Sequence, residues 1–205
     1  ASIGLTFAAG LRSILRQDPN IVMVGEIRDA ETAEIAVRAS LTGHLVLSTL
    51  HTNSAIGTIG RLADMGVEPY LIASSLVCVV AQRLVRRVCR DCAVKVPMRP
   101  EERQLFVTHG LLAEEDGVSP SVMLMRGQGC VSCNKTGYKG RLAVHEVLKA
   151  DEALRRLIAR NADAEALRQH ARERGFRTML EDGMDKVLAG LTTTEELLRA
   201  VSGDD

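Results

Sequence analysis

The chain has the composition of a folded protein with an aliphatic core. Of its 205 residues, 46% are hydrophobic and 25% are charged, but only 2% are aromatic, a balance that excludes wholesale disorder. The formal net charge of zero argues against a broadly basic nucleic-acid-binding protein, and no apolar run reaches the roughly 18 residues of a membrane-spanning helix. The length suits one large domain, or one domain with an appendage.

The first region, residues 1–88, is predicted to alternate helices with apolar strands. A first helix with one apolar face ends before Pro19. Ile21 to Val24 is a continuous apolar strand, of the kind that a parallel sheet buries on both faces. A helix from about Glu31 to Ala39 leads to a second such strand, His44 to Thr49. This order of elements predicts an α/β fold with parallel neighbouring strands.

Two further helices are predicted in the same region. Ser54 can cap a helix that runs to Met65, and Gly66 then takes the C-terminal position. Pro69 opens a long apolar helix that is predicted to continue towards Arg87.

The remaining chain divides into a loop-rich second region, residues 89–140, and a mainly helical third region, residues 141–205. The third region opens with a short strand at Arg141 to Leu148. Its last helix is expected to begin with a capping box, in which Thr193 and Glu196 each bind the other's backbone N–H.

Polar side chains follow both predicted strands. Gly25 and Glu26 come directly after the first strand, and Ser48, Thr49 and His51 stand at and beyond the end of the second. In nucleotide-hydrolysing α/β proteins, ligands sit beyond the carboxyl ends of the strands, where an acid can hold Mg²⁺ directly or through water. Taken alone, the same pattern also fits a surface glutamate that happens to follow a strand.

Two long segments, in a fixed order, carry a resemblance. LRQDPNIVMVGEIRDAETAEIAVRAS precedes TGHLVLSTLHTNSA, and the similarity continues through GYKGRLAVHEVL to the C-terminus. Together they resemble the secretion ATPases of type II secretion and type IV pilus assembly, in which the first segment holds the Walker B motif and the second the His box. The resemblance implies that Glu26 organises Mg²⁺ and that His51 lies near the phosphates of ATP, as catalytic residues.

The same resemblance matches His44 to the other His-box histidine. His44 begins the second strand, at the end opposite to Glu26, so a structural or inter-subunit role is favoured over a phosphate contact. Ser48, Thr49 and, less favoured, His44 remain candidates for contacts with Mg-ATP.

The implied fold is the C-terminal part of a RecA-like P-loop ATPase core with a tetracysteine zinc subdomain and a C-terminal helical region. Family members work as cytoplasmic homo-hexamers, peripheral at the inner membrane through partners in the secretion or pilus machine. The sequence of the segment ASLTGHLVLSTLHTN and the presence of the paired cysteines favour type II secretion, with pseudopilus assembly, over type IV pilus assembly. The phosphate-binding loop G-x-x-x-x-G-K-[ST] does not occur in this sequence, so we expect a piece of a longer subunit that does not hydrolyse ATP alone.

Four cysteines form two C-x-x-C pairs, Cys89 with Cys92 and Cys130 with Cys133. Two such pairs can supply the closed tetrahedral shell of a structural zinc ion. The 37 residues between the pairs exceed the roughly 15–20 of the compact four-cysteine pattern and predict an insert with a helix near Glu101 to His109. A pair of disulfides or a redox dithiol is the rival interpretation, which an intracellular location would disfavour. A zinc-stabilised binding module without chemistry of its own is therefore the alternative function.

Four arginines lie near the end of the predicted long helix: Arg83, Arg86, Arg87 and Arg90. They could contact phosphate groups, acidic lipid or a partner subunit. A basic cluster at a helix end is also favourable beside the helix dipole and can simply be solvated, which is the interpretation favoured here.

Overall fold

The computed structural model describes residues 6–113 and 122–201, which fall into two compact units. Unit 1 comprises residues 1–81 and 147–176, and unit 2 comprises residues 82–146 and 177–205. Each unit therefore combines two stretches that are far apart in sequence. The division at residues 1–88, 89–140 and 141–205 stays a prediction.

The described residues contain α-helices and strands in the following order. They are α1 (Phe7–Leu15), β1 (Ile21–Val24), α2 (Ala30–Leu41), β2 (Leu45–Ser48), α3 (Gly57–Asp64), α4 (Pro69–Ser75), β3 (Cys78–Val88), β4 (Ala93–Pro97), α5 (Pro100–Thr108), β5 (Met123–Gly127), β6 (Tyr138–Lys149), α6 (Glu152–Ala159), α7 (Ala164–Glu173), α8 (Met179–Leu188) and α9 (Thr194–Val201). The strands form three pairs, β1 with β2, β3 with β6, and β4 with β5. Within this part of the chain, no helix is both long enough and apolar enough to cross a bilayer.

Strands β1 and β2 run parallel, as predicted, with Ile21 opposite Leu45 and Val24 opposite Ser48. The expectation that β1 is buried on both faces is wrong. Val22 and Val24 are buried, whereas Ile21 and Met23 are 62% and 74% exposed. Successive side chains of a strand point to opposite faces, and the described helices cover only the face that carries the two valines.

Helix α4 is much shorter than the predicted helix from Pro69 towards Arg87, and that prediction is wrong. The helix does begin at Pro69, but it ends at Ser75 and strand β3 follows. The sequence of β3 is rich in valine, which loses rotamer freedom in a helix and packs well on a pleated strand. Pairing with β6, which is longer than the predicted strand, adds a tertiary preference for the extended form.

The second stretch of unit 1 is joined to the first by backbone contacts of α4 and the segment after it. The Ala150 N–H donates to the Val77 carbonyl at 3.0 Å, and the Arg155 guanidinium donates to the Ala73 carbonyl at 2.7 Å. Both acceptors belong to the chain around the end of α4, where carbonyl groups lack partners inside the helix. Residues of the second stretch thus supply hydrogen-bond donors to carbonyl groups at and after the end of α4, which the described residues of the first stretch do not pair.

The insert between the cysteine pairs in unit 2 contains the predicted helix, observed as α5, and an antiparallel β4–β5 hairpin. Phe106 is fully buried and Leu124 is 3% exposed. The buried carboxylate of Glu102 binds the guanidinium of Arg126 at 2.8 Å, which links α5 to β5. These contacts give the insert a small apolar core and a buried ion pair.

The start of α9 departs from the predicted capping box. The Glu196 N–H does donate to the Thr193 hydroxyl, at 3.3 Å. The Glu196 carboxylate does not return to Thr193, however; it binds Arg86 at 2.7 Å and Arg199 at 2.7 Å. Its burial, with only 1% of the side chain exposed, makes these two guanidinium partners necessary, because an unpaired buried carboxylate is costly.

Glu196→Gln should destabilise unit 2 by about 2 kcal/mol at neutral pH, because an amide loses the charge-assisted part of these hydrogen bonds. Burial alone would raise the pKa of Glu196, but the bonds from Arg86 and Arg199 outweigh it and lower the pKa from 4.5 to about 2. The stabilisation is therefore complete above about pH 4.5 and is lost as the pH falls towards 2. Urea unfolding at pH 7 and pH 3 measures both effects.

The matched control is Glu152→Gln, which neutralises a carboxylate that is 81% exposed and should change stability little. A difference between wild type and Glu196→Gln that stays the same at pH 3 would contradict the assignment.

Candidate functional site

The segments that follow β1 and β2 stay paired beyond the strands. The Thr49 hydroxyl donates to the Gly25 carbonyl at 2.7 Å, and the Ile27 N–H donates to the Thr49 carbonyl at 3.0 Å. These bonds fix the backbone on both sides of Glu26. The carboxyl edge of the strand pair is thus a rigid support for the side chains that follow it.

The Glu26 carboxylate lies at this edge, and two side chains, those of Arg28 and His51, contact the same carboxylate oxygen. Arg28 Nε lies 2.5 Å and His51 Nε2 lies 3.2 Å from Glu26 Oε2. The hydrogen bond from Arg28 is the main cause of a lowered pKa of Glu26, with a smaller contribution from His51. Glu26 is therefore ionised at neutral pH, and its other oxygen, Oε1, has no hydrogen-bond partner among the described residues.

Arg28 is the residue of this cluster that sequence reasoning missed. It stands two positions after Glu26 in an extended segment, so both side chains can lie on the same side of the backbone. That spacing is the signal that could have identified it.

The other predicted residues differ in where they lie. His51 is beside Glu26 and is 77% exposed. The Thr49 hydroxyl is occupied by the Gly25 carbonyl, and the exposed Ser48 hydroxyl has only a long contact of 3.4 Å to the Thr49 carbonyl. His44 precedes β2, so the structure does not bring it to the edge that carries Glu26.

His44 instead closes the end of helix α2. Its Nδ1 lies 3.1 Å from the Ala39 carbonyl and 3.2 Å from the Thr42 hydroxyl. The Ala39 carbonyl also accepts from the Thr42 hydroxyl at 2.9 Å and from the backbone N–H groups of Thr42 and His44, so the ring adds one more contact to the C-terminal turn of α2. This geometry fits the structural role that the sequence favoured for His44.

The donor set at the carboxyl edge fits Mg²⁺ as nucleotide-binding proteins hold it. Mg²⁺ in such sites takes one or two carboxylates and completes its shell with water and phosphate oxygens. Glu26 offers one ionised carboxylate with one free oxygen, next to the solvent-exposed His51. The edge could therefore hold Mg²⁺ together with a phosphate group.

The four predicted cysteines meet in unit 2, and their sulfur atoms all lie within 4.8 Å of one another. The Sγ–Sγ distances are 3.9 Å for Cys89 and Cys130, 3.9 Å for Cys92 and Cys133, and 3.7 Å for Cys130 and Cys133. Tetrahedral zinc with Zn–S bonds of about 2.3 Å requires Sγ–Sγ distances of about 3.8 Å. All four thiols are free of disulfides, so the arrangement fits zinc.

Backbone N–H groups aim at the sulfur atoms of this cluster. Cys133 Sγ accepts from the Cys130 N–H at 3.2 Å and from the Gly137 N–H at 3.3 Å. The bond from Cys130 is the main cause that lowers the pKa of Cys133 to about 6. Burial, in contrast, raises the pKa of Cys92 to about 12, so a thiolate is favoured at Cys133 and a cation would be needed to ionise Cys92.

Two glycines permit the close backbone approach that shapes the cluster. Gly137 has a φ of 79°, and a Cβ atom there would lie 2.6 Å from the Gly127 carbonyl oxygen. A Cβ at Gly127 would lie 2.0 Å from the Gly137 carbonyl oxygen. A side chain at either position would push apart the two ends of the loop that carries both Cys130 and Cys133.

Comparison with known proteins places this geometry in a family. Residues 1–199 match the family described as Type II/IV secretion system protein. The chain is similar to the type II secretion system ATPase E of Vibrio cholerae, with 51% identity over 96% of this chain and 37% of the relative. It is also similar to the type IV pilus assembly ATPase PilB of Thermus thermophilus, with 52% identity over 95% of this chain and 21% of the relative.

A solved structure agrees with these relatives. The pilus retraction motor PilT with bound ADP has a TM-score of 0.63 and 28% identity, and the match covers 95% of this chain and 43% of that chain. The fold is thus an α/β ATPase fold, as predicted. The chain spans little more than a third of the length of the V. cholerae relative. The match over residues 1–199, together with the identity to these relatives, shows that the chain belongs to the Type II/IV secretion system protein family.

Proposed function

We propose that the chain is the C-terminal part of a RecA-like ATPase core that powers type II protein secretion. The observation that carries the proposal is the ionised carboxylate of Glu26, held at the carboxyl edge of two parallel strands with one oxygen free. The high identity to a type II secretion ATPase over nearly the whole chain supports it.

The residues at the edge would divide the work of binding Mg-ATP. Glu26 would hold Mg²⁺, directly or through water, and Arg28 and His51 would fix the orientation of its carboxylate. The metal, when bound, neutralises phosphate charge and so supports attack on the terminal phosphate. His51, being exposed, would also be free to donate to a phosphate oxygen.

Zinc would have a structural role in the same protein. Cys89, Cys92, Cys130 and Cys133 would supply all four of its ligands, which leaves no position for a substrate. The expected assembly is a cytoplasmic homo-hexamer that drives pseudopilus assembly and meets the inner membrane through partner proteins. We also propose that residues 141–205 form a mainly helical C-terminal subdomain of this protein.

Type IV pilus assembly is the second candidate function. It is supported by the identity to the T. thermophilus pilus ATPase, 52%, which is almost the same as the 51% identity to the V. cholerae secretion ATPase. Chimeras separate the two functions. The chain would replace the matching segment of the V. cholerae secretion ATPase or of the pilus ATPase, each in a strain that lacks its own copy. Restored protein secretion without restored piliation supports type II secretion; the reverse result supports pilus assembly.

The 205-residue chain alone should hydrolyse ATP no faster than the buffer background. It contains no Gly-Lys-Ser or Gly-Lys-Thr sequence, and the phosphate-binding loop supplies the backbone donors and the lysine that stabilise the transferred charge. Phosphate release at saturating Mg-ATP measures this, with the longer protein as the active control. Activity of the short chain that Glu26→Gln removes would contradict our view of where the phosphates bind.

A further inference from the structure

A basic cleft lies in unit 2, at the ends of strands β3 and β6. It has a volume of about 310 Å³ and is lined by Arg87, Val88, Arg90, Asp91 and Lys139. Three of its five lining residues are cationic and one is anionic. We call this the basic cleft. None of its residues belongs to the carboxyl edge of β1 and β2 that carries Glu26, and none is one of the four clustered cysteines.

The charges of the basic cleft are unequally compensated. Lys139 Nζ lies 3.6 Å from Asp91 Oδ2, and both side chains are more than half exposed. Asp91 therefore offsets Lys139. Among the described residues, no carboxylate forms an ion pair with Arg87 or Arg90, so two arginines line the cleft without an ion-pair partner.

Arg86, the residue before Arg87 in strand β3, has its positive charge paired with a carboxylate. Arg86 binds the Glu196 carboxylate through Nε and Nη2, at 2.9 and 2.7 Å. Its guanidinium also lies 4.3 Å from the centre of the Tyr138 ring. Adjacent residues of a strand point to opposite faces, so Arg86 has a structural partner on one face while Arg87 lines the cleft on the other.

We propose that the basic cleft binds a phosphate group, either of a free phosphate compound or of a lipid headgroup. Arginine presents a planar fork of N–H donors that matches two phosphate oxygens, and such charge-assisted pairs are the strong hydrogen bonds of proteins. The volume lies at the lower end of the range for small-molecule sites, which suits a phosphate group better than a whole nucleotide. Val88 supplies an apolar wall.

The competing explanation is that the cations balance the cysteine centre. Four thiolates and one Zn²⁺ carry a net charge of −2, and Arg90 stands between Cys89 and Cys92 in sequence. In that case the arginines would support zinc retention and no external anion would bind. Phosphate binding and zinc content must therefore be measured on the same samples.

The test uses the zinc-loaded chain in reductant and titrates it with inorganic phosphate at constant ionic strength, with chloride as the reference anion. We expect saturable changes of the Val88 and Asp91 backbone amide signals in ¹⁵N NMR spectra. Arg87→Gln/Arg90→Gln should bind phosphate at least about tenfold more weakly, because the two guanidinium groups supply charge-assisted hydrogen bonds that the amides cannot replace. Zinc content should stay at one ion per chain.

Arg160→Gln is the control, since Arg160 is exposed like Arg90 but lies outside unit 2, and its loss should leave phosphate binding unchanged. Single Arg90→Gln keeps the test valid if the double variant does not fold, because Arg90 is exposed. Sedimentation with vesicles of phosphatidylglycerol or phosphatidylcholine distinguishes the sources. Binding to the anionic vesicles alone, lost in the variant, indicates a lipid headgroup, and phosphate binding without vesicle binding indicates a free compound.

Three results would overturn the proposal. The first is no saturable response of the wild type to phosphate and no binding to anionic vesicles. The second is equal phosphate affinity in wild type and variants. The third is loss of zinc from the variants without any phosphate binding by the wild type, which would assign the arginines to the cysteine centre.

Discussion

Glu26→Gln, placed in the full-length ATPase, should lower ATP turnover by about a hundredfold or more while ATP binding persists. The amide keeps the size of the side chain but carries no charge with which to organise Mg²⁺. Loss of one preorganised electrostatic group at a transferring phosphate has effects of this order. Steady-state phosphate release measures turnover, and a fluorescent ATP analogue measures binding.

Glu34→Gln supplies the control for this experiment. Glu34 is exposed on helix α2, where it pairs with Arg38 one helical turn away, and its loss should leave turnover within twofold of the wild type. Near-normal phosphate release by the Glu26 variant, in a correctly assembled protein, would refute the role of Glu26.

Cys130→Ser/Cys133→Ser should reduce bound zinc from one ion per chain to almost none. Two of four thiolate ligands disappear, and zinc binding in small domains is worth on the order of 10 kcal/mol of folding free energy. The turns that carry the cysteines should then open, so trypsin should cut after Arg90 and Lys135 much faster than in the wild type. Elemental analysis and timed proteolysis check the two effects.

The fifth cysteine offers a matched control, because Cys78 is exposed and lies outside the cluster. Cys78→Ser should retain the zinc and the wild-type cleavage pattern. Full zinc occupancy in the double variant would refute the tetracysteine site. Complete protection of Arg90 and Lys135 in a zinc-free double variant would show that the insert holds these turns without metal.

The parts of the fold that follow from local rules could be predicted from the sequence. The parallel pair of β1 and β2 follows from two short apolar runs joined by a helix, and the close approach of Glu26 and His51 follows from that parallel order. The clustering of the cysteines follows from their paired spacing. In each of these cases, the residues that decide the outcome lie close together in sequence or repeat a known spacing.

The errors arise where distant residues decide the outcome. Strand β3 was predicted as a helix because apolar residues occur at both helical and alternating spacing there, and only pairing with β6 selects the strand. The Glu196 carboxylate was expected to cap its own helix, but the guanidinium of Arg86, 110 residues away, takes it. The valines of β3 are a weak local signal for a strand, whereas no local feature of the sequence indicates that Arg86 binds Glu196.

The interleaving of the two units constrains the order in which the chain can fold during synthesis. Unit 1 needs residues 147–176, which leave the ribosome only after the whole cysteine-bearing stretch of unit 2. Until then, the carbonyls of Ala73 and Val77 lack the donors that Arg155 and Ala150 provide. A nascent chain halted at residue 146 would contain Glu26, Arg28 and His51 and all four cysteines of the cluster, yet neither unit would be complete. The cysteine cluster can therefore form before the unit that carries Glu26 is complete.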